Sequence, residues 1–257
     1  VVAWRGPRGE SIVAPPSACP SCAARIAWYD NIPVLSWVLL HARCRKCGCR
    51  ISFRYPLGEL AVGLLFLAAA LQDGFSLRFL SDALVLSLLA VTVQTDLAFW
   101  VVLDEVSIGG AAAGIALSFL RGGLTPLESA GTAAGSFLFF LLIRLGSLLL
   151  LNRRPGYVLP PEGHEDEKEE FTGGMGWGDI KLAACMGAFL GPGRCVVAFF
   201  AAFLAGALTG VLAMVLARRD RRMPIPFGPF LALGGAIAVF AGDAIWGWYV
   251  SMAGIGG

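Results

Sequence analysis

Residues 79–96 read FLSDALVLSLLAVTVQTD. The run is apolar enough to lie in hydrocarbon, about the length that crosses it, and it ends on a carboxylate, Asp96. Working outward, similar apolar segments fall at roughly 57–72, 101–120, 129–151, 180–191, 195–217 and 227–250, giving seven with 79–96. The fifth is short for a span and is expected to be tilted, half-inserted or completed by the glycine-rich turn before it. Hydrophobic residues make up 57% of the chain and charged residues 15%, and the mean hydropathy is +0.72. A soluble globule of this length would carry more charge. The sequence therefore predicts an all-α polytopic membrane protein.

The distribution of charge orients it. Sixteen of the 20 Lys and Arg residues fall in three places: residues 1–56, the 152–179 loop with Lys181 just beyond it, and the 218–226 loop. The alternate loops hold only Arg78, Arg121 and Arg194, and Arg144 lies inside a span. Cytoplasmic loops are enriched in basic residues, so this asymmetry puts the N-terminal block on the cytoplasmic side. The acidic run Glu162-Gly163-His164-Glu165-Asp166-Glu167-Lys168-Glu169-Glu170 reads as solvated linker. The chain opens at Val1 without an initiator Met or a secretory signal pattern, and we expect a preceding segment to be missing. No internal repeat is visible, which argues against a transporter built from inverted halves.

Residues 1–56 are too charged to span and contain Cys19-Pro20-Ser21-Cys22 and Cys44-Arg45-Lys46-Cys47. Two C-x-x-C pairs read as a four-thiolate zinc site. Such a site has no open coordination position, so its zinc would be structural, bracing a module too small for a large apolar core. Two disulfides are the alternative, disfavoured on the cytoplasmic side. Cys49 is a bystander or a substitute ligand. Cys185 and Cys195 lie in apolar helix sequence and read as small packing residues. The division expected is a cysteine module over 1–56 and a membrane domain over 57–257.

An acid at membrane depth is costly and points to function. Asp179 follows two glycines in Gly176-Trp177-Gly178-Asp179-Ile180-Lys181, at the mouth of an apolar segment. Gly176 and Gly178 permit a sharp turn and close approach of a substrate backbone. Capping of the next helix is the plainer explanation of Asp179. Lys181 is placed to tune Asp179 or to meet headgroups. Asp96 is one possible partner for Asp179. Asp104, Glu59, Asp82 and Asp243 also lie in or near spans, where each has a structural reading as a helix-end or packing residue. Two nearby carboxylates that share a proton can activate water, as in aspartic proteases.

The chain resembles the type IV prepilin peptidases nearly end to end. The resemblance rests on an ordered set: Pro7-Arg8-Gly9-Glu10-Ser11, Pro16-Ser17, the run from Trp28 to Trp37, Arg43-Cys44-Arg45-Lys46-Cys47-Gly48, Ile51-Ser52-Phe53-Arg54-Tyr55-Pro56, Glu59-Leu60, Asp96, Gly176 to Leu182, and Ile225-Pro226-Phe227-Gly228-Pro229-Phe230. The chain departs from the family pattern at Leu103-Asp104, where a Pro-Asp is usual, and at Gly173-Gly174, where an acid is common.

The resemblance implies that Asp96 and Asp179 are the catalytic pair, and that eight spans exist, the eighth preceding Val1. It implies substrates that are prepilins and pseudopilins of type IV pili or type II secretion, cut after a glycine on the cytoplasmic face of a bacterial inner membrane. It also implies N-methylation of the new N-terminus from S-adenosylmethionine, an activity linked to the first cytoplasmic loop. A peptidase without the methyltransferase activity is the nearer alternative, and a proton-coupled transporter and a non-catalytic assembly factor are the rival readings of other classes. Zinc, lipid and precursor pilins are the expected partners, with no nucleic acid, and the oligomeric state is not legible.

Overall fold

The computed structural model describes residues 2–11, 14, 16–151, 156–157, 170–171, 175–216 and 225–254. The acidic run from Glu162, the Gly173-Gly174 pair and the basic residues Arg153, Arg154, Lys168, Arg218, Arg219, Arg221 and Arg222 lie outside them, apart from Glu170 in a two-residue strand.

The N-terminal region carries two short helices, α1 (Val2–Arg5) and α2 (Leu35–Leu39). Seven longer helices follow, one for each apolar segment of the sequence: α3 (Arg54–Asp73), α4 (Leu77–Phe99), α5 (Asp104–Arg121), α6 (Pro126–Leu151), α7 (Trp177–Leu190), α8 (Pro192–Leu216) and α9 (Gly228–Ala253). Between α6 and α7, β1 (Gly156–Tyr157) pairs antiparallel with β2 (Glu170–Phe171). Among the described residues, five helices are long and apolar enough to cross a membrane: α3, α4, α6, α8 and α9. The molecule is a helical, multi-pass membrane protein.

Local chemistry fixes the helix ends. The Ser76 side chain caps α4 by accepting the Phe79 N–H at 3.2 Å. Thr125 and Glu128 form a reciprocal capping box at the start of α6, with Glu128 N–H to Thr125 Oγ1 at 3.2 Å and Thr125 N–H to Glu128 Oε2 at 2.9 Å. Pro126 sits at the head of that helix, where a missing N–H costs nothing. A single residue, Gly191 at φ 73°, turns α7 into α8.

The core is centred on α7. Nine of its 14 residues are buried, from Ile180 to Leu190. Small residues let its neighbours close on it. A Cβ on Gly187 would meet the Thr132 carbonyl of α6 at 2.7 Å, and one on Gly114 of α5 would meet Ala188 at 2.9 Å. A helix of 14 residues is about 21 Å long, shorter than the roughly 30 Å of hydrocarbon. The short fifth segment of the sequence is thus the buried centre of the bundle. Outside this core, α3 is held lightly: only Pro56 and Ala69 on it are buried.

Candidate active site

Asp96 lies in the last turn of α4 and is buried. Trp100, in the left-handed conformation at φ 59°, ends the helix by donating its N–H to the Asp96 carbonyl at 3.0 Å. The Asp96 side chain is held from another helix: its Oδ2 accepts the backbone N–H of Gly228, the first residue of α9, at 2.9 Å. A Cβ at 228 would stand 2.6 Å from that oxygen, so the contact requires glycine.

Asp179 is the third residue of α7 and half-buried. Its Oδ2 accepts the N–H of Gly176 at 3.2 Å, so it also serves the helix start. Gly178 lets the α4–α5 loop lie on this turn, because a Cβ there would meet Val102 Cβ at 2.8 Å. The loop that follows Asp96 is therefore packed directly on the turn that carries Asp179.

The turn sits alongside the body of α6. Gly191, at the far end of α7, is level with the α5–α6 turn, where its hypothetical Cβ would meet Leu124 at 2.7 Å. At the near end, Arg144 of α6 donates to the Met175 carbonyl, and its guanidinium lies 5.0 Å from the centre of the Trp177 ring. From that level α6 continues to Leu151, a further seven residues or about 10 Å. The start of α7 therefore lies partway along α6 and not at its end.

Lys181 is engaged by the start of α5. Its ammonium bonds the Asp104 carboxylate at the start of α5 and ties α7 to α5. Asp104 is thereby the ion-pair partner that joins the starts of α5 and α7. Asp82 and Asp243 lie near the other end of the bundle. Two supports were not read from the sequence. Arg144 is visible there only as a lone cation inside an apolar span. Gly228 is visible only as part of a motif, since its contact with Asp96 joins positions 132 residues apart. The N-terminal stretch also reaches this region: Arg8 stacks on the Phe99 ring at 5.1 Å, and a Cβ on Gly6 would touch Leu103 at 2.6 Å.

The cysteine module folds as two matched knuckles. Bridges Ala18↔Arg25 and Arg43↔Arg50 close them. The Cys19 carbonyl accepts the Ala23 N–H at 2.8 Å, as the Cys44 carbonyl accepts the Gly48 N–H at 2.9 Å, and Ala23 and Gly48 both take positive φ. The sulfurs of Cys19, Cys22, Cys44 and Cys47 all lie within 4.8 Å of one another. Cys19 and Cys47 Sγ are 3.8 Å apart, close to the roughly 3.8 Å edge of a tetrahedron with zinc–sulfur bonds of about 2.3 Å. Backbone N–H groups of Cys22 and Ser21 hold the Cys19 thiol down at about 6, and those of Cys47 and Lys46 lower Cys44 in the same way. Such thiols lose their protons readily to a metal. The four cysteines could hold a metal ion, and the geometry is compatible with zinc. Cys49 Sγ lies 3.5 Å from Cys19 Sγ, beside the set.

These features define a class: a multi-pass helical membrane protein with two carboxyls converging at one end and a four-cysteine module attached to it. Residues 60–211 match the model of the type IV leader peptidase family, and residues 1–72 match that of the bacterial peptidase A24 N-terminal domain. The chain is 35% identical to the prepilin leader peptidase/N-methyltransferase of Bacillus subtilis over 97% of its own length and 91% of the relative's. It is 34% identical to the protein of the same name from Aeromonas salmonicida, over 94% of this chain and 76% of that one. For the Myxococcus xanthus protein of that name the figures are 35%, 85% and 60%. No solved structure matches the chain. The chain belongs to the type IV leader peptidase family and is, by that membership, a peptidase.

Proposed function

We propose that this protein is a membrane aspartic endopeptidase that removes the leader of prepilins or pseudopilins, with Asp96 and Asp179 as its catalytic pair. The observation that carries the reading is the meeting of these two acids at one end of the bundle, each aimed by a backbone N–H from a glycine. Two carboxyls that feel each other in a poorly solvated site do not both ionise easily. The pair titrates as a unit, with one proton between two acids. The ionised member takes a proton from water, whose oxygen attacks the scissile carbonyl carbon. The protonated member donates to the carbonyl oxygen. Collapse of the tetrahedral intermediate breaks the C–N bond, and the amine leaves with a proton.

The basic-residue asymmetry supports an orientation with this end at the cytoplasmic face, and family membership supports the inner membrane, with α5 and α7 joining the five long helices as seven spans. The substrate's basic leader would then lie in the cytoplasm and its apolar helix in the bilayer. Residues 1–56 form the cysteine module and 57–257 the peptidase domain. Cys19, Cys22, Cys44 and Cys47 would hold a structural zinc that takes no part in hydrolysis. Relatives named as N-methyltransferases support a second activity on the new N-terminus, with S-adenosylmethionine as donor. No residue is assigned to that donor.

The test is leader removal from a precursor pilin in vesicles carrying the full chain. Asp96→Asn and Asp179→Asn should each slow it by about 10²–10⁴-fold, the usual contribution of a positioned acid or base. Cleavage that persists at the native rate in either variant would refute the assignment. The mass of the processed N-terminus decides methylation, since a methyl group adds a fixed increment.

A further inference from the structure

A second group of acids lies near the other end of α4, where Asp82 is 14 positions, or about 21 Å of helix, from Asp96. Six charged side chains from five helices meet there: Asp73 at the end of α3, Arg78 and Asp82 in α4, Arg121 at the end of α5, Arg194 in the first turn of α8, and Asp243 in α9. Most are committed to one another. Arg78 bonds Asp73 Oδ1 at 3.3 Å and Asp243 at 3.1 Å, and Arg194 Nε bonds Asp243 at 2.6 Å. Arg121 donates to the Ser81 hydroxyl and the Phe189 carbonyl.

Two oxygens are left over. Asp82 is 2% exposed, and the Asp73 side chain is 8% exposed. Asp73 Oδ2 and Asp82 Oδ2 are buried and have no hydrogen-bond partner. Arg78 and Asp82, four residues apart on α4, share one helix face, and Asp73 bonds Arg78, so the two carboxyls lie on the same side of α4. Both as anions, they would leave two buried negative oxygens without a donor of their own, which is costly even with Arg78 and Arg121 nearby. One proton removes the conflict: a carboxylic O–H on one acid bonds the carboxylate of the other. A metal ion would need further oxygen ligands, and among the described residues no third His, Cys, Asp or Glu joins the pair.

We propose that Asp73 and Asp82 form a second proton-binding acid pair, separate from the catalytic one, that clasps α3 to α4. The clasp has something to hold. With only two buried residues, α3 has little apolar grip on the bundle, yet it connects to the cysteine module through Glu59, whose carboxylate accepts the Val34 N–H at 2.8 Å.

The test uses the full chain in detergent with Asp96→Asn and Asp179→Asn both present, so that the catalytic pair contributes no signal. Infrared spectra at neutral pH should show the carbonyl stretch of a protonated carboxylic acid, shifted in D₂O. Adding Asp82→Asn should remove that band, as should Asp73→Asn in a separate protein. An amide on either side donates to the remaining carboxylate, so both variants should keep the parent's thermal midpoint. Absence of the band in the parent, a band unchanged by both substitutions, or unfolding of both variants would each overturn the proposal. So would absence of the band together with a midpoint raised by sodium or calcium chloride but not by tetramethylammonium chloride, which would place a metal ion between the two carboxylates.

Discussion

Glycine 228 shows how closely the site is fitted. Its N–H holds Asp96 only because nothing projects from its α-carbon: a methyl group there would stand 2.6 Å from Asp96 Oδ2 and 3.2 Å from Thr92 Cγ2. Gly228→Ala must therefore turn the carboxyl aside or push back the start of α9, at a cost of about 1–3 kcal/mol typical of overpacking. If most of that falls on the geometry of Asp96, single-turnover leader cleavage should drop by roughly tenfold to a hundredfold. The helical circular dichroism of the purified variant should be unchanged. Native cleavage rates would show that the Gly228 contact does not aim the acid. The two acids were legible from the sequence as charges at the ends of apolar runs. Their supports were not: Gly228 reaches across 132 positions, and Arg144 donates to a backbone carbonyl, which no side-chain pattern announces. Lys181 next to Gly-Asp suggested an electrostatic neighbour for Asp179. Position 181 instead faces α5, where Asp104 neutralises it.

Each helix coincides with an apolar segment because hydrophobicity and helix formation are one requirement in lipid, where every backbone group must bond within its own segment. The boundaries depended on turn chemistry. The left-handed Trp100 ends α4 after Phe99, and α5 begins at Asp104 with two acids in its first turn, where the helix dipole favours them. The cysteine module obeys a different rule. Its apolar residues, including Trp28, Leu39 and Phe53, are largely exposed, and a metal held by the four cysteines would supply what burial does not. A strong chelator should release one zinc per chain and make residues 1–56 sensitive to limited proteolysis. Leader cleavage should survive, since the acids lie on other elements. Loss of cleavage in parallel with zinc would make the metal part of the active assembly. Acid should loosen the same module. Arg45 donates to Asp30 at 2.7 and 2.6 Å and holds that carboxyl below its ordinary 3.8. A folded value below the unfolded one stabilises above the unfolded value, and the gain is lost as pH falls through the folded one. Proteolytic resistance should fall below about pH 4, and Asp30→Asn should be less stable near neutrality with a smaller acid-induced loss. The pair is exposed, so the effect should be small.

At the scale of the whole molecule, charge and site must agree on which way the bundle faces. The basic residues 1–56 and both catalytic candidates belong to one end, and the Asp73–Asp82 pair to the other. A peptidase for substrates with basic leaders gains from presenting its acids where those leaders remain, on the side favoured by the positive-inside rule. The orientation makes a direct claim about two sets of positions. Cys22 and Cys47 are exposed in the cysteine module, and Phe75, in the turn between α3 and α4, is 94% exposed. With the module inside, a membrane-impermeant maleimide added to intact cells should leave the native chain unlabelled, because its other cysteines are buried or lie in the same module. Phe75→Cys should label at once, without permeabilisation. After permeabilisation, and most readily once metal is removed, the module cysteines should react as well. Labelling of the native module in sealed cells, with Phe75→Cys protected, would invert the bundle. The acids would then lie outside, where a leader retained in the cytoplasm could not reach them, and the proposed cleavage would have no substrate on its side of the membrane.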